Sequence, residues 1–245
     1  ADLISKELAI TATVIEDPAE GVQQLARFNP QLSTRRGWWH RSKKTDAMAG
    51  RLRLLWFGWV SNLDTISDFL PSLVQLAHDI PLALEVMSAP GFGAEAFCAN
   101  AHKKYGPHLT CEFREWSLEN LSDSLSRCDL VVLPSDTKSD RKQVKSANRL
   151  VEALWAGKYV VASPIPAYQA FQDWAWVSED LCTGIRSALR HPNLVLDQIN
   201  HAQQYIAAHF SLEVIGNKWF TALHTPEKME KPTERSAALR LNLGC

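Results

Sequence analysis

From residue 51 onward, short apolar runs alternate with longer segments of helical periodicity, and this alternation restricts the fold more than any other feature. The pattern predicts strands at residues 52–60, 82–88, 109–113, 129–135 and 159–163, and helices at residues 65–78, 94–105, 117–128 and 147–156. We expect Pro71 to kink the first helix or to end its first turn. Alternation of this kind predicts βαβ units and a parallel sheet. The continuous apolar runs VVL and YVVA indicate strands covered on both faces. The predicted class is therefore α/β, a Rossmann-like parallel sheet with helices on both faces.

The segments outside this alternation set the expected domain boundaries. After Pro166 the sequence reads as three successive helices. Before residue 51 a short helix at 2–8 and a strand at 11–18 precede an irregular connector. The chain opens in what reads as the middle of a helix, so we expect a fragment or a processed product. The expected units are the end of a preceding domain plus a connector, a Rossmann-like domain, and a mobile charged tail, at residues 1–50, 51–224 and 225–245.

The overall charge gives no reason to expect a nucleic-acid partner. The 245 residues carry 26 basic and 27 acidic side chains, a net charge of -1. The connector does contain a local patch, RRGWWHRSKK at residues 35–44, with five basic residues and two tryptophans. This patch is typical of a peripheral membrane contact or a nucleic-acid contact. Because the patch is short and the net charge is close to zero, we favour the simpler interpretation, a solvated linker whose Trp38 and Trp39 pack onto the domain.

The cysteines and histidines indicate a reducing compartment and no metal site. The five cysteines are odd in number and lack paired spacing, so we expect no disulfide framework and a cytoplasmic location. Cys98 and His102 are four residues apart on a predicted helix, but structural zinc requires four ligands. No stretch approaches the ~20 apolar residues that a membrane-spanning helix needs.

The candidate functional site lies where the strand DLVVLPS is followed by a polar loop and the helix at 147–156. Ligands of open parallel sheets bind beyond the carboxyl ends of the strands, and a helix N-terminus attracts anions. Ser146 is a natural cap, Lys145 and Arg149 add positive charge, and Asn148 adds an amide donor. Glu152 is four residues past Asn148 and shares its helix face.

A diphosphate bound at the helix start and a ribose hydrogen-bonded to the carboxylate would use all these groups. A ligand that contains both a diphosphate and a ribose is a nucleotide-sugar donor. A purely structural reading stays open at this point. In it Ser146 caps the helix, Arg149 and Glu152 form a surface ion pair, and Lys145 is solvated.

The run RLVEALWAGKYVVAS, with Glu152, Ala156-Gly157 and the strand Val160 to Ser163, resembles the end of the nucleotide-binding domain of GT-B fold glycosyltransferases. The upstream order of LLWFGWV, WSLENL and CDLVVLPS is similar too, so the resemblance covers about residues 50–223. It implies the C-terminal, donor-binding half of a glycosyltransferase, with Glu152 on the donor ribose. The N-terminal half, which binds the acceptor in that family, would be missing. The acceptor, whether glycan, lipid or protein, is not identified.

The resemblance also implies chemistry without a bound metal or cofactor, in which Lys145 and Arg149 stabilise the departing diphosphate. The chain departs from the family pattern at two places. Val144 stands where a second glutamate is common, and GWVSNLD lacks the arginine and lysine that usually follow the first strand. The remaining expected donor-binding residues are those at the first and third strand ends, namely Gly58, Ser61, Asn62, Arg114 and Trp116. In this reading the enzyme works in the cytoplasm, with the inner membrane surface as an alternative location.

Two other functions remain open from the sequence. The run GFGAEA at residues 91–96 fits the glycine-rich dinucleotide fingerprint, and Glu112 lies on the following strand. This would indicate a nicotinamide- or flavin-dependent oxidoreductase. The second alternative is a non-catalytic nucleotide-sugar-binding or interaction module of the same fold, because a fold does not determine a function.

Overall fold

The structure is a computed structural model, and it describes residues 15–32, 50–91, 93–106, 108–139 and 145–224. The chain divides into two compact units. The larger unit spans residues 17–211. The described part of the smaller unit consists of residues 15–16 and 212–224. The boundaries predicted from the sequence at residues 51 and 224 remain predictions.

Six strands of the larger unit form one sheet in the order β3-β2-β1-β4-β5-β6. Every neighbouring pair is parallel. This is the strand order of the Rossmann fold, so the predicted α/β class is confirmed. The strands are β1 Leu52–Phe57, β2 Leu82–Ser88, β3 Leu109–Glu115, β4 Leu130–Leu133, β5 Tyr159–Ala162 and β6 Trp176–Val177.

Helices cover both faces of this sheet. They are α1 Leu63–Ala77, α2 Ala94–Tyr105, α3 Leu118–Arg127, α4 Asn148–Trp155, α5 Pro166–Gln169, α6 Leu181–Arg190 and α7 Pro192–His209, and the smaller unit contains α8 Leu212–His224. One apolar cluster joins α1, α2, α6 and the first half of α7 to one face, and a second joins α3, α4, α5 and the second half of α7 to the other. Because crossovers between parallel strands are right-handed, the helices change face where the chain turns from one edge of the sheet to the other.

Strand β1 illustrates why the continuous apolar runs form central strands. Leu54 and Trp56 point into the first apolar cluster, whereas Leu55 and Phe57 point into the second. All four side chains are at most 3% exposed. Because both faces of this strand lie in apolar surroundings, no position along it faces solvent and favours a polar side chain. This explains the continuous apolar run LLWF.

Several boundaries differ from the sequence-based prediction. The first strand ends at Phe57 rather than residue 60, and Val60–Asn62 form a short 3-10 helix instead. The first helix spans Leu63–Ala77 without interruption, so no turn ends at Pro71, and the kink expected there stays a prediction. Residues 15–18 of the predicted strand 11–18 lie in no strand. The two-residue strand β6 was not predicted.

Other predictions fall outside the described residues, namely the helix at 2–8, the basic-aromatic patch at 35–44 and the tail at 225–245. In the described part of the chain, no helix has the length and apolar character needed to cross a membrane.

Residues 17–28, the first part of the connector and the part meant by that word from here on, lie along helix α4. The backbone N–H groups of Gln24 and Arg27 donate to the carbonyls of Trp155 and Gly157 at 3.1 and 3.2 Å. Gly157 has φ +72°, and a Cβ there would lie 2.4 Å from the Leu25 carbonyl oxygen. The glycine that ends α4 is therefore required both by its left-handed backbone and by the close approach of the connector.

Candidate functional site

The site lies at the carboxyl ends of β1 and β4, which are neighbours in the sheet although two strands separate them in the chain. The chain leaves these two strands toward opposite edges, and such a switch point leaves a crevice between the two departing connections. β1 ends at Phe57, β4 ends at Leu133, and α4 begins at Asn148 after the loop that follows β4. The predicted helix start is therefore positioned at the ligand-binding edge.

Arg149 reaches from α4 across this switch point to β1. Its Nη1 donates to the Phe57 carbonyl at 3.1 Å, and its Nη2 donates to the Tyr168 hydroxyl at 3.4 Å. A Cβ at Gly58 would lie 2.9 Å from the same Nη1. Gly58 thus gives the guanidinium room at the end of β1. The surface ion pair between Arg149 and Glu152, considered from the sequence, is wrong because the guanidinium points to β1 and α5.

Lys145 is also tied to the connection that follows β1. Its Nζ donates to Asn62 Oδ1 at 2.6 Å. The neighbouring Ser61 is exposed on the same 3-10 helix. Lys145, Arg149, Gly58 and Asn62 are therefore gathered at one place, although they come from two distant parts of the sequence.

The first turn of α4 differs from the prediction in its capping. Ser146 was expected to cap the helix, but the N-cap residue is Ala147 and no side chain accepts a hydrogen bond there. Ser146 is exposed one residue further out. The prediction is wrong because the helix begins one residue later than the sequence indicated. Asn148 is exposed and donates through Nδ2 to the Asp17 carboxylate of the connector.

Glu152 lies at a cavity of about 220 Å³, which we call the connector pocket. Its walls are connector residues between 20 and 24, the leucines of α3 at 118, 121 and 125, and Glu152 itself. Burial, and to a lesser extent the negative charge of Glu20, raise the pKa of Glu152 from its ordinary value of 4.5 to about 7. Asn148 and Glu152 both face the connector, as their shared helix face predicts.

The third strand extends to Glu115 rather than residue 113, so Arg114 lies within it and Trp116 directly follows it. The Arg114 guanidinium pairs with Asp123 at 2.6 Å and donates to Ser124 and Asn120 at 3.1 Å each. Its charge is thus directed at α3. The Trp116 side chain is 48% exposed, so it is not a core residue. Its backbone N–H donates to the Ser88 carbonyl at 2.9 Å, which fixes this residue beside the end of β2.

Sequence reasoning missed three groups at this edge. Tyr168 contacts Arg149, and Asp17 and Glu20 of the connector face Asn148 and Glu152. Tyr168 follows the strand YVVAS by only a few residues, so its place near the sheet edge was available as a signal. The connector residues gave no such signal, because their segment has no periodicity.

Among the described residues no group of three or more His, Cys, Asp or Glu side chains could hold a metal ion. Gly91 and Gly93 have φ +78° and +92°, and a Cβ at either would meet nothing within 4 Å. The run GFGAEA follows β2, whereas the dinucleotide fingerprint belongs to the turn after the first strand.

Comparison with known proteins gives matches among solved structures. A scan against models of protein families and a search of curated proteins found no match. HepE from Anabaena in complex with UDP-glucose gives a TM-score of 0.58 at 16% identity, over 72% of this chain and 49% of HepE. A glycosyltransferase from Rickettsia africae gives 0.57 at 10% identity, over 71% of this chain and 47% of that protein. TarM gives 0.57 at 12% identity, over 71% of this chain and 35% of TarM.

The structural neighbours are GT-B glycosyltransferases, and the resemblance stated from the sequence is confirmed at the level of the fold. This chain has a Rossmann-like domain of the GT-B type. It spans about half or less of the length of the neighbours described above.

Proposed function

We propose that this chain is the C-terminal, donor-binding half of a glycosyltransferase that takes its sugar from a nucleotide-diphosphate donor. The observation that carries the proposal is the convergence of Lys145, Arg149 and the start of α4 at the sheet's switch point. Two full positive charges and the free N–H groups of a helix start form an anion site. The solved complex of a neighbour, HepE, with UDP-glucose supports a nucleotide-sugar as the ligand class.

In this proposal the diphosphate lies at the start of α4, within reach of Lys145 and Arg149. As the bond between the anomeric carbon and the diphosphate breaks, negative charge builds on the leaving oxygens. Cationic groups held in place before the reaction stabilise that charge without the cost of reorganising water. Arg149 is held in this way, because Phe57 and Tyr168 fix its guanidinium from two sides.

The other predicted donor contacts extend from this point along the sheet edge. Glu152 accepts hydroxyl hydrogen bonds from the ribose, and the exposed ring of Trp116 stacks on the base. Gly58, Ser61 and Asn62 line the side that belongs to β1, and Ser146 and Asn148 add polar groups at the helix start. Arg114 contributes by orienting α3 beneath the base, since its guanidinium is bonded to that helix.

In our proposal the acceptor binds to the other half of the enzyme, which is not part of this chain. The donor chemistry uses no bound metal or cofactor, because the cations of the chain neutralise the leaving diphosphate. The described cysteines, Cys98, Cys111, Cys128 and Cys182, are free thiols, which supports a reducing, cytoplasmic setting.

The proposal is tested by thermal denaturation with UDP, GDP, ADP, UDP-glucose and GDP-mannose. A ligand at a hundredfold excess over its dissociation constant stabilises the folded state by about 2.7 kcal/mol. We expect at least one of these ligands to raise the melting temperature. Lys145→Ala and Arg149→Ala should weaken its binding about tenfold or more, since each removes a charged hydrogen bond.

Lys138→Ala is the matched control, because it removes an exposed lysine from the same loop. We expect it to bind like the wild type, apart from the weak effect of one distant surface charge. The anion site at α4 is refuted if no ligand stabilises the protein. It is also refuted if Lys145→Ala and Arg149→Ala bind the ligand as tightly as the Lys138→Ala control does.

A second function is favoured by one observation, that the cations already have partners within the chain. Lys145 bonds Asn62, and Arg149 bonds Phe57 and Tyr168. A non-catalytic module of the same fold would keep such contacts for stability alone. Absence of transfer activity in the full-length wild-type protein, together with Lys145→Ala and Arg149→Ala variants that lower only the melting temperature, would favour this alternative.

A further inference from the structure

Another cavity lies at the edge of the sheet opposite to the proposed donor site. Its volume is about 250 Å³, and its walls are Gln24, Leu25 and Arg27 of the connector, Ser126 of α3 and Lys158. Lys158 directly precedes β5 and Ser126 lies shortly before β4, so the cavity is at the amino ends of these strands. We call it the basic cavity, because both of its charged lining residues are cations.

Lys158 has a hydrogen-bond donor left over inside the domain. The residue is only 5% exposed. Its Nζ donates to the carbonyls of Ser126 and Cys128 at 3.2 and 2.9 Å, so capping the end of α3 accounts for two of the three ammonium N–H groups. The third N–H has no acceptor among the described residues. A buried charged donor without a partner is costly, and a ligand in the basic cavity would remove that cost.

Arg27 brings a second unused cation to the same cavity. In the part of the chain that the structure describes, no hydrogen bond or ion pair involves its guanidinium. Its backbone is nevertheless fixed, because the Arg27 N–H donates to the Gly157 carbonyl at 3.2 Å and Gln203 Nε2 donates to the Gln24 carbonyl at 2.7 Å. The connector is therefore anchored at the cavity wall by bonds that make no use of the arginine's charge.

No carboxylate in the wall balances these charges. None of the described residues that line the cavity is acidic. Asp129, which follows Cys128, accepts from the Arg53 N–H at 2.8 Å and does not belong to the wall. Two cations that share a cavity repel each other, and an anion bound between them replaces that repulsion with two attractions.

The donor geometry and the volume restrict the class of anion. A guanidinium presents a planar fork of N–H groups that matches phosphate oxygens, and an ammonium binds phosphate as a compact charge. The volume of about 250 Å³ corresponds to roughly eight waters at ~30 Å³ each, which leaves room for a phosphoryl group with a small organic substituent. A metal cation is repelled by the two positive side chains.

We propose that the basic cavity binds a phosphoryl dianion, either inorganic phosphate or a small phosphomonoester. Arg27 donates to it through its guanidinium fork, and Lys158 donates through its third N–H. The bound anion joins the connector to the amino edge of the sheet, at the end of α4 that is farther from the proposed donor site. The inference does not depend on the proposed function, because the two sites share no residue.

The test is a titration of the ¹⁵N-labelled protein with inorganic phosphate and with glycerol 3-phosphate, followed by nuclear magnetic resonance at constant ionic strength. The amide signals of Arg27 and Lys158 report on the basic cavity, and those of Asn148 and Arg149 report on the start of α4. We expect saturable shifts at Arg27 and Lys158. We also expect slower hydrogen exchange of the Arg27 N–H, because the anion holds the connector on the domain.

Arg27→Gln is the variant to compare, because Lys158 also holds the end of α3 and its loss would lower stability. It should raise the dissociation constant about tenfold or more, since it removes a charged, forked contact. Arg190→Gln is the matched control, because Arg190 is an exposed arginine at the end of α6 that does not line the cavity. It should bind both ligands like the wild type.

The possible results either support the site or overturn it. Saturable shifts that Arg27→Gln weakens and Arg190→Gln does not would support it, and tighter binding of glycerol 3-phosphate than of phosphate would identify a phosphomonoester as the ligand. Three results would overturn it: no saturable shift at Arg27 and Lys158 below about 10 mM ligand, the same shifts with sodium chloride at equal ionic strength, or equal affinities of the two variants. Shifts confined to Asn148 and Arg149 would also overturn this inference, while they would support the anion site at α4.

Discussion

Replacing Glu152 with glutamine should increase the stability of the protein at alkaline pH and leave it unchanged at acidic pH. The two side chains are nearly the same size, so the change removes the ionisation of the carboxyl without opening a cavity. Burial and the adjacent Glu20 raise the pKa of Glu152 from 4.5 to about 7 in the folded protein. The folded state therefore retains a proton that the unfolded chain releases.

The sign follows from proton linkage. Between pH 4.5 and about 7 the folded protein binds more protons than the unfolded chain, so the free energy of unfolding falls as the pH rises. Below this window Glu152 is protonated in both states and contributes no difference. Above it the full cost is present. A shift from 4.5 to about 7, at 1.36 kcal/mol per unit, corresponds to a loss on the order of 3 kcal/mol.

Urea unfolding of the wild type and Glu152→Gln at about pH 3.5 and pH 8 measures this loss. We expect equal free energies of unfolding at about pH 3.5, where Glu152 is protonated in both states, and a variant more stable by roughly 3 kcal/mol at pH 8. Glu119→Gln, with an exposed side chain, should show no pH-dependent difference from the wild type. If Glu152→Gln is less stable than the wild type at pH 8, or differs from it by the same amount at both pH values, the environment deduced for Glu152 is refuted.

Three further pairs of substitutions test packing and capping in the chain. Gly157→Ala should cost about 2 kcal/mol or more, because φ is +72° and a Cβ would lie 2.4 Å from the Leu25 carbonyl oxygen. Gly216→Ala, in the interior of α8 with nothing within 4 Å of the added Cβ, should instead stabilise the protein by roughly 0.5–1 kcal/mol. Chemical denaturation of both variants measures the two changes in the free energy of unfolding. Changes of the same sign would contradict the backbone argument. Lys158→Met should cost about 3 kcal/mol in the same assay, because the buried Nζ donates to the carbonyls of Ser126 and Cys128 at 3.2 and 2.9 Å. The exposed Lys138→Met should change stability by less than ~0.5 kcal/mol, and a similar small effect at Lys158 would show that its bonds add nothing net. Ser117→Ala should lower the melting temperature through a loss of about 1 kcal/mol, because Ser117 Oγ accepts from the Asn120 N–H at 3.0 Å. Ser146→Ala should have little effect, since Ser146 caps no helix, and equal losses at the two serines would contradict the capping assignment.

The sequence determined the sheet because the sheet depends on local patterns, and the same patterns predicted the start of α4, where we propose the anion site. Apolar runs such as LLWF and VVL and the periodicity between them define strands and helices within a dozen residues. The cap of α3 is local in the same way, because the Ser117 side chain accepts from the N–H of Asn120, only three residues further on. Parallel strands place their carboxyl ends at one edge, so the start of α4 lies at the ligand-binding edge whatever the details of packing.

The partners of the site residues were decided only by the tertiary structure. Arg149 bonds a carbonyl 92 residues away, and Lys145 bonds an amide 83 residues away. The carboxylate beside Glu152 comes from a connector without any periodicity, and only its anchoring to α4 and α7 brings it there. Periodicity records which face of an element is buried. It does not record which distant side chain fills the remaining space, because that depends on the summed packing of the whole domain.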